Sequence, residues 1–194
     1  HVVTASEGVN SRKMEEDGKQ ITDPHAWNSM ANGVIYATNV MNALIKADPE
    51  DADYFRQRGT AYIEQLQKLD AWAKTEFTGI PQSKRKVLTS HDAFGYFGQE
   101  YHVSFMAPVG FSTEAEASAS GVASLIKQIK EEKVKTYFIE NQTDPRLVKQ
   151  IAAASGAQPG GELYPEALSG PQGPATTYIK AFKHNVETIV ASMK

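Results

Sequence analysis

The sequence predicts an α/β fold, in which a lobe with a parallel four-stranded sheet and flanking helices follows a long linking helix and a partial first lobe. Two patterns support this prediction. From residue 81 onward, short apolar runs alternate with amphipathic stretches, which is typical of βα units and a parallel sheet. Ahead of them lies one much longer stretch with helical periodicity. We therefore divide the chain into residues 1–47, a remnant of an N-terminal lobe, residues 48–80, the linking helix, and residues 81–194, a C-terminal α/β lobe.

The first twenty residues are expected to hold a strand followed by an exposed segment. Residues 1–6 look like a strand already in progress, and they lack the regions that define a signal peptide. We therefore expect the chain to begin inside the first lobe. Residues 7–20 are polar, charged and punctuated by glycine, which predicts a loop or a short hairpin.

Two helices are predicted between this segment and the sheet. The first is capped by Asn28 or Ser29, and its apolar residues recur at steps of three and four. These residues are expected to form one buried face: Val34, Ile35, Ala37, Val40, Met41, Leu44 and Ile45. The second helix takes Asp48 as its N-cap and has Pro49 at its first position. From there to Phe77 it would be about 43 Å long, the length of a strut between two lobes.

The sheet lobe is predicted as four βα units, each of which pairs a short apolar run with the helix that follows it. The strands are expected at residues 87–89, 103–106, 134–139 and around 162–164, and the helices at 93–101, 114–133, 145–155 and 175–193. Parallel strands place their carboxyl ends at one edge of the sheet, and ligands collect at that edge.

Composition excludes several classes of function. The net charge is −3 and the charges are interspersed, which argues against nucleic-acid binding because that function needs a clustered basic face. The sequence contains no cysteine, so disulfides, thiolate metal ligands and cysteine nucleophiles are excluded. Any metal must be held by histidine, carboxylate or backbone oxygen. No run approaches the roughly 20 apolar residues that span a bilayer.

Two histidines in short polar turns are the strongest functional signal. His25 follows Asp23 and Pro24, and Pro24 restricts the backbone so that the direction of the ring is well defined. His91 lies just after the predicted strand at 87–89. Imidazole nitrogen combined with oxygen donors suits zinc. Each histidine could instead hydrogen-bond locally, His25 by packing on Trp27, and placement alone favours neither alternative.

Carboxylates follow the same predicted strands. Glu140 ends one strand and Glu166 follows another, so both are expected at the edge that carries His91. Glu166 is a candidate metal ligand. Glu140, Asp23 and Asp92 are candidates for hydrogen bonding to the ligating imidazoles, although each could instead cap its local turn.

Other catalytic arrangements find no support in the sequence. The nucleophile elbow, the phosphate-binding loop and the His-Glu-x-x-His zinc motif are absent. Ser90, His91 and Asp92 contain the residue types of a catalytic triad, but consecutive residues cannot stack their side chains into one relay. His102 and His184 lie in or beside amphipathic elements and are expected to be exposed or hydrogen-bonded locally.

The segments around these residues resemble a known family. They are DPHAW at 23–27, KVLTSHDAFGYFGQEY at 86–101, APVGFSTEAEASA at 107–119, FIENQTDPRLVKQIA at 138–152 and GGELYPEALSGPQGPATTYIKAFKHNVETI at 160–189. Together they resemble the cluster A-I solute-binding proteins, which are extracytoplasmic receptors that deliver zinc or manganese to ABC transporters. The loops look most similar to the zinc-binding AztC-like branch. The resemblance covers essentially the whole chain and implies two α/β lobes joined by one rigid helix, with residues 81–194 as the metal-binding lobe.

The resemblance also implies a set of metal ligands. It consists of a histidine early in the first lobe, His25, His91 and a carboxylate near the C-terminus. The first histidine has no counterpart in these 194 residues, so this chain would supply three of the four groups and is expected to bind metal weakly. Glu166 stands where the family usually has aspartate. Relatives that handle manganese often have a carboxylate in place of His91, so an imidazole there favours zinc.

By this resemblance, the chain is expected to capture Zn²⁺ in the periplasm or outside the cytoplasm and to deliver it to an ABC transporter permease, without catalysing a reaction. Two alternatives stay open. One is a Mn²⁺-binding receptor or adhesin of the same fold, and the other is a zinc-dependent hydrolase with an open position for water. Residues 2–5 and 34–45 would leave apolar surface uncovered, so we also expect copies of the chain to associate.

Overall fold

The computed structural model describes residues 2–16, 18–110 and 118–194, and it has the predicted α/β class. In chain order the elements are β1 (Lys13–Glu16), β2 (Lys19–Thr22), α1 (Met30–Ala47), α2 (Ala52–Phe77), β3 (Lys86–Leu88), α3 (Gly95–Tyr101), β4 (Ser104–Met106), α4 (Ala119–Glu131), β5 (Thr136–Glu140), α5 (Arg146–Ser155), β6 (Gln158–Leu163) and α6 (Tyr178–Met193). Strands β3 to β6 form one sheet in the order β4-β3-β5-β6, and every neighbouring pair is parallel. The predicted parallel four-stranded sheet is confirmed.

Helices cover both faces of this sheet. Successive strand residues point to opposite sides, and here apolar side chains point to both. Val87 joins an aromatic core with Phe77 of α2, Phe97 of α3 and Phe182 of α6. Its neighbour Leu88 belongs to a second core that includes residues of α4 and α5. The two cores fix the sheet between its helices and leave the carboxyl edge of the strands for the site.

The long helix α2 begins three residues later than the sequence predicts. Asp48 ends α1, since its N–H donates to Leu44 O at 2.9 Å, and it does not cap α2. Pro49 lies in the turn between the helices, where its carbonyl accepts from Ala52 N–H at 3.3 Å. Helix α2 therefore runs over 26 residues, which corresponds to about 39 Å.

Helix α1 begins as predicted but is less buried than predicted. Its N-cap is Ser29, whose hydroxyl accepts from Asn32 N–H. The expected buried face is partly wrong, because Val40 is 47% exposed and Leu44 is 42% exposed. These two side chains and Tyr62 of α2 line an open groove of about 500 Å³ between the helices. Helix α2 therefore covers only part of the apolar face of α1.

The predicted first strand is absent from the described part of residues 1–6. The backbone turns at residues 5–8, where Thr4 O accepts from Glu7 N–H at 3.2 Å. The carbonyl of Ala5 accepts from the side chain of Asn39 in α1, so these groups are used in a turn and against a helix, not in a strand ladder. The expected hairpin is confirmed, with β1 and β2 antiparallel.

The remaining boundaries shift by a few residues. Helix α3 begins at Gly95, not Ala93, so residues 89–94 stay free to form a turn at the sheet edge. Helix α6 begins at Tyr178, not Ala175, with the Thr177 hydroxyl as its cap. The expected start of α4 at residue 114 lies outside the described residues. Within the described ranges, no helix has both the length and the apolar character needed to cross a membrane.

Candidate metal centre

His25 is held by the carboxylate of Asp23. The backbone N–H of His25 donates to Asp23 Oδ1 at 2.9 Å, and the ring Nδ1 lies 2.8 Å from the same oxygen. Both side chains are fully buried. Because one oxygen two residues earlier engages both nitrogens, the ring is fixed and directs Nε2 away from Asp23.

His91 is held in a similar way, but by a carboxylate from a neighbouring strand. It lies in the turn after β3, and Glu140 is the last residue of β5. Glu140 Oε1 accepts the N–H groups of Ser90 and His91 at 3.1 and 3.3 Å, and Glu140 Oε2 pairs with His91 Nδ1. Nε2 of His91 is buried and has no hydrogen-bond partner among the described residues. A buried polar atom of this kind calls for a partner.

Glu166 completes the arrangement from the loop after β6. Its Oε1 lies 3.2 Å from His25 Nε2 and 3.6 Å from His91 Nε2, and the second distance is an electrostatic contact, not a hydrogen bond. The two imidazole rings lie 5.6 Å apart and meet edge to face. The side chain of Glu166 is 30% exposed, whereas both histidines are buried. Folding thus brings together three residues that are remote in sequence.

The spacing of the three donors suits a metal ion. One donor atom from each of His25, His91 and Glu166 lies within 4.8 Å of the others, and within the described ranges this is the one such group. Two ligands of a tetrahedral zinc ion lie about 3.3 Å apart, given metal–donor distances of about 2.0–2.1 Å. The distances from Glu166 to the two imidazoles match this separation.

The carboxylates strengthen the proton affinity of both imidazoles. Burial lowers the pKa of His91, but the hydrogen bond with Glu140 and the proximity of Glu166 outweigh it and raise the pKa to about 9. Burial likewise opposes the rise in the pKa of His25, which Asp23 and Glu166 cause. Hydrogen bonding with His25 and contact with His91 hold the pKa of Glu166 well below its ordinary value. The three side chains together therefore form a site that favours positive charge.

Trp27 ties the loop of Glu166 to the turn of His25, a contact that sequence reasoning missed. Its indole N–H donates to Pro165 O at 2.7 Å, and its own carbonyl accepts from Tyr178 OH at 2.6 Å. The indole ring also lies 5.7 Å from the ring of His25. The sequence pairs Trp27 with His25 but gives no sign of a contact with residue 165.

Arg12 is a second group that the sequence analysis missed. Its guanidinium pairs with Asp23 Oδ2, the carboxylate oxygen that His25 does not use. With His25 and Arg12 as partners that offset its burial, Asp23 has a lowered pKa. The contact follows from closure of the β1–β2 hairpin, because Asp23 N–H donates to Arg12 O at 3.0 Å. The register that pairs Lys13 with Thr22 brings residues 12 and 23 face to face, but the sequence predicted a hairpin only within residues 7–20 and without a register.

The other predicted residues lie apart from the two imidazole–carboxylate pairs. No hydrogen bond joins the side chain of Asp92 to either imidazole in the described part of the chain, and burial raises its pKa. His184 Nε2 lies 2.9 Å from Glu162 O, and His102 ends α3 in a left-handed conformation. Both therefore have the local roles expected.

A family model matches nearly the whole of this chain. Residues 1–192 match the family model of ZnuA, the periplasmic component A of the zinc-uptake complex. The chain belongs to this family, as the resemblance of its motifs implies.

Relatives of this chain are named for different metals. The chain is 31% identical over 192 residues to the manganese ABC transporter substrate-binding lipoprotein PsaA of Streptococcus pneumoniae, covering 97% of this chain and 61% of the relative. It is 34% identical over 169 residues to the iron-binding protein YfeA of Yersinia pestis, covering 87% of this chain and 54% of the relative. The chain thus spans about three fifths of the length of the curated relatives it matches.

Solved structures support the same assignment of the fold. A manganese-bound mutant of the periplasmic metal-binding protein of Candidatus Liberibacter asiaticus superposes with a TM-score of 0.91 at 28% identity, covering all of this chain and 72% of the other. A structure of TroA gives a TM-score of 0.90 at 31% identity, covering 99% of this chain and 73% of the other.

Proposed function

We propose that this chain is the metal-binding part of an extracytoplasmic receptor that captures zinc and delivers it to an ABC transporter permease. The observation that carries the proposal is the convergence of His25, His91 and Glu166, whose donor atoms lie within 4.8 Å of one another. Membership of the ZnuA family supports a receptor and argues against the zinc-dependent hydrolase that the sequence left open.

In this proposal His25, His91 and Glu166 ligate the ion directly. Nε2 of each histidine is the ligating atom, because Nδ1 is engaged by Asp23 or Glu140. These two carboxylates orient the rings and make them stronger donors, as outer carboxylates do in other zinc sites. Glu166 contributes the charge, and its ionised form is favoured before any metal arrives.

Zinc is favoured over manganese by the donor set. Two imidazoles and one carboxylate form a nitrogen-rich site, whereas manganese prefers oxygen donors. The zinc-binding AztC-like branch remains our assignment within the family. Manganese is the second candidate, because the relatives named for manganese include PsaA and the lipoprotein MntA of Bacillus subtilis.

The proposed division of the chain gives each part a role. Residues 1–47 would belong to a first lobe, residues 48–80 would link the lobes, and residues 81–194 would form the lobe that supplies His91 and Glu166. A helix of about 39 Å resists bending between lobes. Metal release would therefore occur through movement of the ligand-bearing loops. Relatives named as lipoproteins of metal ABC transporters support a location outside the cytoplasm.

A competition titration tests the choice of metal. The intact purified protein is stripped with a chelator and titrated with Zn²⁺ in the presence and absence of excess Mn²⁺, and metal content as purified is measured by elemental analysis. We expect zinc to be retained against a large excess of manganese. Displacement of zinc by equimolar manganese would support the manganese receptor, and binding of neither ion would reject both.

A further inference from the structure

Arg12 is anchored at a fixed point beside the metal centre. Its backbone N–H donates to Tyr96 OH at 3.1 Å, and the same hydroxyl donates to Asp23 O at 3.0 Å. The guanidinium carbon also lies 5.8 Å from the centre of the Tyr96 ring. Together with the backbone bond from Asp23 to Arg12, these contacts clamp both ends of the hairpin onto α3. The backbone of Arg12 is therefore fixed beside Asp23, and the guanidinium contacts the Tyr96 ring as well as Asp23.

Gly95 leaves the space through which this guanidinium reaches Asp23. A Cβ atom at position 95 would lie 1.4 Å from Arg12 Nη1 and 2.8 Å from Asp23 Oδ2. Both distances are far below van der Waals contact, so any other residue at 95 would displace the Arg12 side chain. The requirement is one of space alone, because Gly95 is the first residue of α3 and has ordinary helical backbone.

The buried charge of Asp23 explains why its contact with Arg12 matters at the site. The carboxylate of Asp23 is fully buried, and a buried carboxylate without a cation is strongly disfavoured. When His25 binds a metal through Nε2, its ring is neutral and only donates from Nδ1. Among the described residues, Arg12 is then the remaining cationic side chain paired with Asp23.

We infer that Arg12 is a positioning residue of the metal centre, which holds Asp23 so that Nε2 of His25 stays aimed at the bound ion. The inference rests on the proposed metal-binding function. The carboxylate partners of the two imidazoles then differ, because within the described ranges only Asp23 is paired with an arginine. Glu140, the partner of His91, has no ion pair with lysine or arginine in the described part of the chain, so loss of Arg12 should act through His25 alone.

The central experiment compares Arg12→Gln with Lys13→Gln in the intact protein, using Co²⁺ and Zn²⁺ as probes. Lys13 is the matched control, because it lies on the same hairpin and carries the same charge but donates to Thr22. We expect Arg12→Gln to weaken binding by about tenfold, the lower end of the effect of removing an outer partner of a ligand, because Arg12 acts through Asp23. We also expect it to change the visible absorption of bound Co²⁺, which depends on ligand geometry. Lys13→Gln should change neither.

Two further variants separate position from charge. Gly95→Ala removes no charge but displaces the guanidinium and also crowds Asp23 Oδ2, so we expect a loss of affinity at least as large as that of Arg12→Gln. The double variant should lose no more than the larger single loss, because both changes break one contact. Arg12→Lys keeps the charge and should recover part of the affinity. Thermal unfolding of each metal-free variant shows whether it is folded.

Three results would overturn the inference. They are an unchanged affinity and Co²⁺ spectrum in folded Arg12→Gln, equal losses in Arg12→Gln and Lys13→Gln, and additive losses in the Gly95 double variant. If Arg12→Gln does not fold, Gly95→Ala and Arg12→Lys decide the question by the same measurements. A wild-type protein that binds neither probe would reject the proposed function and this inference together, so the two failures are distinguishable.

Discussion

At the scale of single residues, His91 is the ligand whose removal should cost most. Its ring is buried, oriented by Glu140, and presents an Nε2 with no hydrogen-bond partner among the described residues. We expect His91→Ala to lower zinc affinity by several orders of magnitude in the intact protein. This loss exceeds the roughly 10–100-fold effect of an outer partner, because a direct donor is lost and Oε2 of the buried Glu140 loses its imidazole partner.

Calorimetry with Zn²⁺ measures this effect, and His184→Ala provides the control. His184 binds Glu162 O away from the three donors, so its removal should leave zinc affinity unchanged. An unchanged affinity in His91→Ala would reject the ligand role of that residue.

The raised pKa of His91 predicts a dependence of metal binding on pH. With a pKa of about 9 in the metal-free protein, His91 carries a proton at neutral pH that zinc must displace. Affinity should therefore rise with pH between about 6.5 and 8.5, by up to tenfold per pH unit for each proton released. Titrations in buffers of different ionisation enthalpy measure the protons released, and a pH-independent affinity would contradict this prediction.

The same shift predicts the pH dependence of stability without metal. Because folding raises the pKa of His91 above its ordinary value of 6.5, the proton stabilises the folded state. The contribution is fully present below about pH 6.5 and is lost as pH rises through about 9, and its size is on the order of 3 kcal/mol. Thermal unfolding in the presence of a chelator should show this loss, and His91→Ala should reduce it.

At the scale of elements, the indole of Trp27 links the turn of His25 to the loop of Glu166. The hydrogen bond to Pro165 O is short, at 2.7 Å, and only the indole N–H supplies it. We expect Trp27→Phe to speed zinc release by about 2–10-fold, because a hydrogen bond contributes about 0.5–1.5 kcal/mol and its loss frees the loop. Stopped-flow transfer of zinc to a chelator measures the rate.

Trp72→Phe is the matched control for this prediction, since Trp72 lies in α2 and packs against the core away from the site. It should leave the rate of release unchanged. Equal rates in wild type and Trp27→Phe would show that the loop of Glu166 does not depend on this contact.

At the scale of the whole molecule, the sheet could be predicted because short apolar runs alternate with stretches of helical periodicity from residue 81 onward. The cap of α1 was predicted as one of two candidates, of which Ser29 is the one observed, and the cap of α2 was wrong because Asp48 instead ends α1. The predicted first strand was wrong because a strand depends on a partner, and the carbonyls of Thr4 and Ala5 bond instead within a turn and to Asn39. Tertiary contacts of this kind have no local signal.

Some residues of the site could also be predicted from the sequence and others could not. His25, His91 and Glu166 could be named from their turns and from the resemblance, and the parallel sheet explains why two of them meet at one edge. Their roles as ligands stay a prediction. Arg12 and Trp27 could not be found, because their contacts depend on how a hairpin closes and on a loop more than a hundred residues away. Local sequence encodes neither contact.

Self-association of the chain also stays a prediction at this scale. The groove between α1 and α2 exposes Val40, Leu44 and Tyr62, and contiguous apolar surface of this kind favours association. We expect light scattering to detect dimers of this 194-residue chain and expect Leu44→Lys to shift them to monomers. Tyr54→Lys, at an exposed site outside the groove, should not. A monodisperse wild-type monomer would remove the idea.

The position of Trp27 against His25 also makes the molecule its own optical reporter. The chain has only two tryptophans, and one of them lies 5.7 Å from an imidazole of the metal centre. A cation bound to that imidazole changes the electric field at the indole, so the fluorescence emission of Trp27 should shift as the site fills. With Trp72→Phe as background, a single fluorophore would then follow loading and release in real time, without any added dye.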